Sequence, residues 1–144
     1  MIRSILVLCE GNVCRSPIAG ALLARHLPGT RVVSAGTRAL VGHGAYPLAV
    51  DTMAARGIDI ASHVATDVNL HLVRSADLVL TMSAAQQQTI EAGYPFARGR
   101  VYRLCEACDV IDPYRKGRAI FEASLQQIEQ GVARWLEVLA RPAF

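Results

Sequence analysis

The sequence predicts an α/β three-layer sandwich, a four-stranded parallel sheet with helices on both faces, and three observations lead there. Short runs rich in Ile, Leu and Val alternate with longer stretches of helical periodicity along all 144 residues. Two of the runs, Ser4 to Leu8 and Leu78 to Thr81, are almost continuously apolar, as strands covered on both faces are. No repeat, low-complexity segment or linker interrupts the alternation, so one domain spanning 1–144 with right-handed crossovers is expected.

The first strand, Ser4 to Leu8, runs into Cys9. A helix is expected to follow with Ser16 as N-cap and Pro17 at its first position, stopping before Pro28-Gly29. Arg31 to Ala35 is the second strand. The next helix runs from about Pro47 to Arg56 and ends at Gly57; Val50, Met53 and Ala54 are spaced to share one face. Asn69 to Ser75 and Ala84 to Glu91 read as helices on either side of the third strand, Leu78 to Thr81. The fourth strand is Val101 to Leu104. The last helix, Gly117 to Ala140, is the clearest, because Phe121, Leu125, Ile128, Val132, Trp135 and Leu139 recur at steps of four and three. Glu122, Glu129 and Glu137 fall largely off that stripe, and the polar face lacks the basic enrichment of a membrane-surface helix, so the stripe is read as core.

Composition narrows the classes of function. The chain is 52% hydrophobic and 19% charged, which suits a packed core and not a disordered chain. Fifteen basic against twelve acidic residues leave +3; 14 of the basic residues are arginine and one is Lys116, with no run that would mark a nucleic-acid footprint. The longest apolar run, Ile5 to Cys9, is far short of the roughly 18 residues of a membrane span and does not resemble an export signal. A cytoplasmic protein with no membrane insertion is expected. In that setting Cys9, Cys14, Cys105 and Cys108 are expected to be reduced thiols.

Chemistry concentrates after the first strand, in Cys9-Glu10-Gly11-Asn12-Val13-Cys14-Arg15-Ser16-Pro17. Gly11 and Asn12, the residue types most tolerant of positive φ, allow the loop to curl so that successive N–H groups face one cup. Such a cup at a helix N-terminus, with Arg15 adding a planar donor fork, is a phosphate-binding loop. The same field favours the thiolate of Cys9, which is the nucleophilic form of cysteine, and Ser16 can donate a further hydrogen bond to its sulfur. From the residues alone, Asp109 and Asp112 are rival acids on a later loop.

The sequence closely resembles the low-molecular-weight protein tyrosine phosphatases. Cys9 to Pro17 matches the family signature in every specifying position, and the likeness continues through Ser34-Ala35-Gly36, Gly57-Ile58, Ser62-His63-Val64-Ala65, Ala76-Asp77-Leu78 and Asp112-Pro113-Tyr114. Ala39-Leu40-Val41-Gly42 and Asp112-Pro113-Tyr114-Arg115-Lys116 look most like the bacterial branch that accompanies tyrosine autokinases in exopolysaccharide export. The resemblance implies Cys9 as nucleophile forming a phosphocysteine, Arg15 as the ligand of the phosphoryl oxygens, and Asp112 as general acid and then base, without metal or other cofactor. It also implies a supporting network of Asn12, Ser16, Ser34 and His63, and Tyr114 at the mouth against the substrate ring. Cys14 would form a reversible disulfide that spares Cys9 from over-oxidation. A membrane tyrosine autokinase is the implied substrate, with Arg115, Lys116 and Arg118 attracting its phosphotyrosines.

Two positions depart from the family pattern. Leu40 stands in the variable stretch where mammalian members place a large aromatic facing Tyr114. Glu10 follows the nucleophile where relatives often have an apolar residue, and an outward-pointing side chain is expected there. Cys105 and Cys108 form a CxxC pair with no second pair or histidines to complete a zinc site, and are read as structural. Arsenate reductases on the same fold need two relay cysteines after the third strand, where Thr81 to Gln88 has none. An idle phosphotyrosine-binding module would have no use for both the thiol and the acid.

Overall fold

The computed structural model describes residues 1–141, so the end of the expected 1–144 domain lies outside the described residues. The elements are β1 (Ser4–Cys9), α1 (Arg15–His26), β2 (Arg31–Gly36), α2 (Pro47–Ala55), α3 (Leu70–Ser75), β3 (Leu78–Thr81), α4 (Ala84–Gly93), a 3-10 turn (Pro95–Ala97), β4 (Val101–Arg103) and α5 (Arg118–Ala140). The strands form one sheet in the order β2-β1-β3-β4, and every pairing is parallel. This is the expected α/β architecture.

Alternation along β1 assigns its two faces. Ile5, Val7 and Cys9 enter a core with Ile18 and Leu23 of α1, Met53 of α2, and Phe121, Leu125, Ile128, Val132 and Trp135 of α5. Leu6 and Leu8 enter the opposite core with Val73 of α3, Val79 of β3 and Ile90 of α4. Both faces are buried, which is why the strand reads as continuously apolar. The stripe of α5 is core, and Glu122, Glu129 and Glu137 are exposed.

Two local expectations need correction, and one short element goes beyond them. Ser16 is not the N-cap of α1: the helix starts at Arg15 with Cys14 in the cap position, and no side chain caps it. The Ser16 hydroxyl is instead committed behind the loop, as described below. In α2 the inward residues are Ala49 and Met53, with Val50 half-buried and Ala54 exposed, so the face is set by the i, i+4 pair. The 3-10 turn Pro95–Ala97 was not foreseen, since three residues carry no periodicity.

The chain leaves β1 towards β2 on one side while β3 lies on the other. A crevice therefore opens beyond the carboxyl end of β1, where open α/β sheets bind ligands. That end is Cys9.

Candidate active site

Residues 10–14 connect β1 to α1, and the carbonyls from Cys9 to Val13 are each engaged by the segments packed behind the loop. Those of Cys9, Glu10, Gly11 and Val13 accept hydrogen bonds from the amides of Thr37, Arg38, Leu40 and Tyr46 at 2.9, 2.9, 3.0 and 2.8 Å. The Asn12 carbonyl lies 2.7 Å from Nε2 of His63. In a planar trans peptide the N–H points opposite to the C=O, so the amide edge of the loop faces the concave side. With no side chain capping α1, its first amides remain available there as well. Gly36 makes the close approach possible, because a Cβ at that position would lie 2.5 Å from the Glu10 carbonyl oxygen.

One residue shapes the turn. Asn12 has φ +58, in the left-handed region, whereas Gly11 does not need positive φ. The Asn12 side chain is fully buried and fully tied: its amide donates to Ser16 Oγ at 2.8 Å and Ser34 Oγ at 3.1 Å, and its carbonyl oxygen accepts from the Thr66 amide at 2.9 Å. The structure thus brings Asn12, Ser16, Ser34 and His63 together behind the loop. Thr66 joins them through its backbone, a contact that leaves no trace in side-chain chemistry and was missed.

Cys9 Sγ is buried, receives the Asn12 N–H at 3.2 Å, and lies 2.9 Å from Ser16 Oγ. Arg15, also buried, donates to the Val110 carbonyl at 3.0 Å and holds its other terminal nitrogen 3.8 Å from Asp112 Oδ2. These residues line an open cavity of about 340 Å³, together with Glu10, Gly11, Val13, Cys14, Arg38, Leu40 and Tyr114. Glu10 is solvent-exposed on its rim.

Asp109 is excluded from the cavity by its bonds. It accepts from the Ala84 amide at 2.9 Å and from Arg103 at 3.0 Å, and first that amide and then the guanidinium hold its carboxyl below the usual carboxylate range. Asp112 has no such ties to α4 and faces Arg15 instead. Cys14, next to this centre, is pushed up to about 12, by burial first and then by Cys9 and Asp112, with Arg15 opposing. It is a neutral thiol.

At the mouth Leu40 occupies the position expected for it, and Val13, Cys14 and Ala65 pack with Leu40, Tyr46 and Tyr114. The aromatic partner of Tyr114 comes from elsewhere: Tyr46, just before α2, meets it edge-on with ring centroids 5.4 Å apart. Arg115 covers Tyr114 at 5.1 Å. Arg38 on the rim and Tyr46 were not singled out from sequence, because only the pairing of residues 37–46 with the loop carries them there. No group of three or more His, Cys, Asp or Glu suited to a metal ion occurs among the described residues.

Residues 4–143 match the model of the low molecular weight phosphotyrosine protein phosphatase family. The chain is 49% identical over 138 residues to the probable low molecular weight protein-tyrosine-phosphatase EpsP of Ralstonia nicotianae, covering 94% of this chain and 95% of that protein. It is 38% identical over 142 residues to the low molecular weight protein-tyrosine-phosphatase Wzb of Escherichia coli K12, covering 96% of this chain and 97% of Wzb. The crystal structure of the tyrosine phosphatase Wzb from Escherichia coli K30 in complex with sulphate superposes with a TM-score of 0.92 at 37% identity, over 97% of this chain and all of that one. With its sequence matched from residue 4 to residue 143 and its fold shared with solved members, the chain belongs to the low molecular weight phosphotyrosine protein phosphatase family.

Proposed function

We propose that the protein is a protein-tyrosine phosphatase, with Cys9 as nucleophile, Arg15 as phosphoryl ligand and Asp112 as general acid and base. One observation carries the reading: these three side chains and the amide edge of residues 10–14 meet in one cavity walled by Val13, Leu40 and Tyr114. A phosphoryl group held by the amides and guanidinium presents phosphorus to Sγ, while its aryl ring takes the apolar mouth. Sulfur attacks in line, and the Arg15 fork and loop amides stabilise the charge spread over the equatorial oxygens. Asp112 protonates the departing phenolic oxygen, then removes a proton from the water that cleaves the phosphocysteine. Ser16 and the Asn12 amide hydrogen-bond the sulfur as attacking and leaving group. The scheme uses no metal or cofactor.

The expected physiological substrate is the phosphorylated tyrosine segment of a membrane tyrosine autokinase linked to exopolysaccharide export, met in the cytoplasm. Its support is the family resemblance together with Arg115 and Lys116, exposed next to Tyr114. No helix among the described residues is long and apolar enough to cross a membrane. An arsenate reductase relay needs two cysteines after β3, where the chain instead passes through the cap Ser83 straight into α4 with no cysteine from Thr81 to Gln88. The test is turnover of p-nitrophenyl phosphate and phosphotyrosine peptides by the purified protein. Hydrolysis of both is expected, whereas binding without turnover would make the protein a phosphotyrosine-binding module.

Cys14 is proposed as the redox guard of Cys9. Peroxide converts the Cys9 thiolate to a sulfenic acid; the Cys14 sulfur then attacks it, a disulfide forms, and the hydroxyl leaves as water with the Cys14 proton. Inactivation by peroxide should be reversed by dithiothreitol in the parent and remain largely irreversible in Cys14→Ser. Equal recovery would remove the protective role.

A further inference from the structure

The CxxC pair that the catalytic scheme leaves unused sits on the same loop as Asp112, between β4 and α5. Cys105 is half-buried and donates its S–H to the Gln127 carbonyl of α5 at 3.2 Å. Cys108, three residues further along the same loop, is exposed. The Gln127 side chain joins this pair to the acid: its Nε2 lies 3.9 Å from Cys108 Sγ, and its Oε1 accepts the Ile111 N–H at 2.8 Å, one residue before Asp112. The Ile111 carbonyl is in turn held by Ser124 Oγ at 2.6 Å, and the preceding Val110 carbonyl by Arg15. The packing is close. A Cβ on Gly131 of α5 would meet Leu104 Cγ at 2.8 Å and Cys105 Sγ at 3.2 Å.

We propose that Cys105 and Cys108 are a thiol–disulfide modification site whose oxidation releases the Gln127 clamp on Ile111 and so loosens Asp112. The oxidant is a small-molecule disulfide of the glutathione class. Exposed Cys108, as thiolate, attacks one sulfur of that disulfide and expels a thiolate, forming a mixed disulfide. Cys105 then surrenders its proton, attacks the Cys108 sulfur and expels the second thiolate. One protein S–S bond is made, the oxidant's S–S bond is broken, and two electrons pass to the two released thiols. Cys105 suits the second role, since burial, then Cys108, raise its thiol above the ordinary range and keep it protonated until a neighbouring sulfur becomes electrophilic. Closing the ring withdraws both sulfurs from Gln127, and the amide that positions Ile111 loses its neighbour.

The kinetic consequence rests on the phosphatase reading, but the bond and the movement do not. The full chain is treated with oxidised glutathione, alongside Cys108→Ser, which changes only an exposed side chain and retains Cys9 and Cys14. Peptide mapping under non-reducing conditions should find the 105–108 disulfide in the parent. Hydrogen exchange at the Ile111 amide should accelerate roughly tenfold on oxidation of the parent and not of the variant. Turnover of phenyl phosphate should fall more than that of p-nitrophenyl phosphate in the oxidised parent, beyond any loss shared with Cys108→Ser through Cys9. Absence of the disulfide, or unchanged Ile111 exchange once it has formed, overturns the proposal. Acceleration at Ile111 in a protein without turnover would sustain it and overturn the phosphatase reading instead.

Discussion

Replacing Cys9 by serine is expected to lower turnover of any aryl phosphate by a factor of about 10⁵ or more, because Cys9 is the thiol whose sulfur the loop amide and Ser16 hydrogen-bond, whereas Cys14 beside it is pushed up to about 12 and stays neutral. The environment built for sulfur makes the substitution informative. Ser16 Oγ and the Asn12 amide are placed to hydrogen-bond an anionic sulfur, and a serine hydroxyl at the same position stays protonated at neutral pH. The amide edge and Arg15 are untouched, so inorganic phosphate should still bind to Cys9→Ser, measurable by calorimetry. Loss of turnover with binding retained separates the nucleophile from the anion site. Turnover within tenfold of the parent would show that the chemistry lies elsewhere.

Replacing Asp112 by alanine is expected to slow phosphoryl transfer by a factor of roughly 10² to 10³ for phenyl phosphate, whose leaving group needs a proton, and far less for p-nitrophenyl phosphate, whose leaving group does not. Presteady-state measurement of phenol release across a series of substituted phenyl phosphates reads this directly, as a steeper dependence on leaving-group basicity. Asp109→Ala is expected to leave that dependence unchanged, since Asp109 is bound to the Ala84 amide and Arg103 outside the cavity. Equal losses across the series in Asp112→Ala would assign the proton to another group.

Legibility in the sequence followed the range of the interactions. Cys9, Asn12, Arg15 and Ser16 lie within eight consecutive residues, so a strand end, a turn and a helix start suffice to bring them together, and residue type alone points to an anion cup. Even there the detail failed at Ser16, because a hydroxyl that caps a helix in one setting serves the buried side of the loop in another. Asp112 and Asp109 could not be separated by pattern. Family resemblance favoured the first, and the physical reason is that the second is bound by a residue 25 positions earlier in the chain. Arg38, Tyr46 and Thr66 reach the site through backbone bonds between segments 37–46, 61–67 and the loop, for which neither periodicity nor composition gives a sign. Strands were readable because both sheet faces are buried, and α5 because its stripe spans 23 residues.

The central claim is that Cys9 carries the phosphoryl group between two in-line transfers. In Asp112→Ala, which lacks the proposed base for the second transfer, rapid acid quench during turnover of p-nitrophenyl phosphate, followed by peptide mapping, should find one phosphoryl group on the peptide containing Cys9, and none in Cys9→Ser/Asp112→Ala. A turning-over enzyme whose quenched Cys9 peptide carries no phosphoryl group, or that carries it on another residue, would contradict the account.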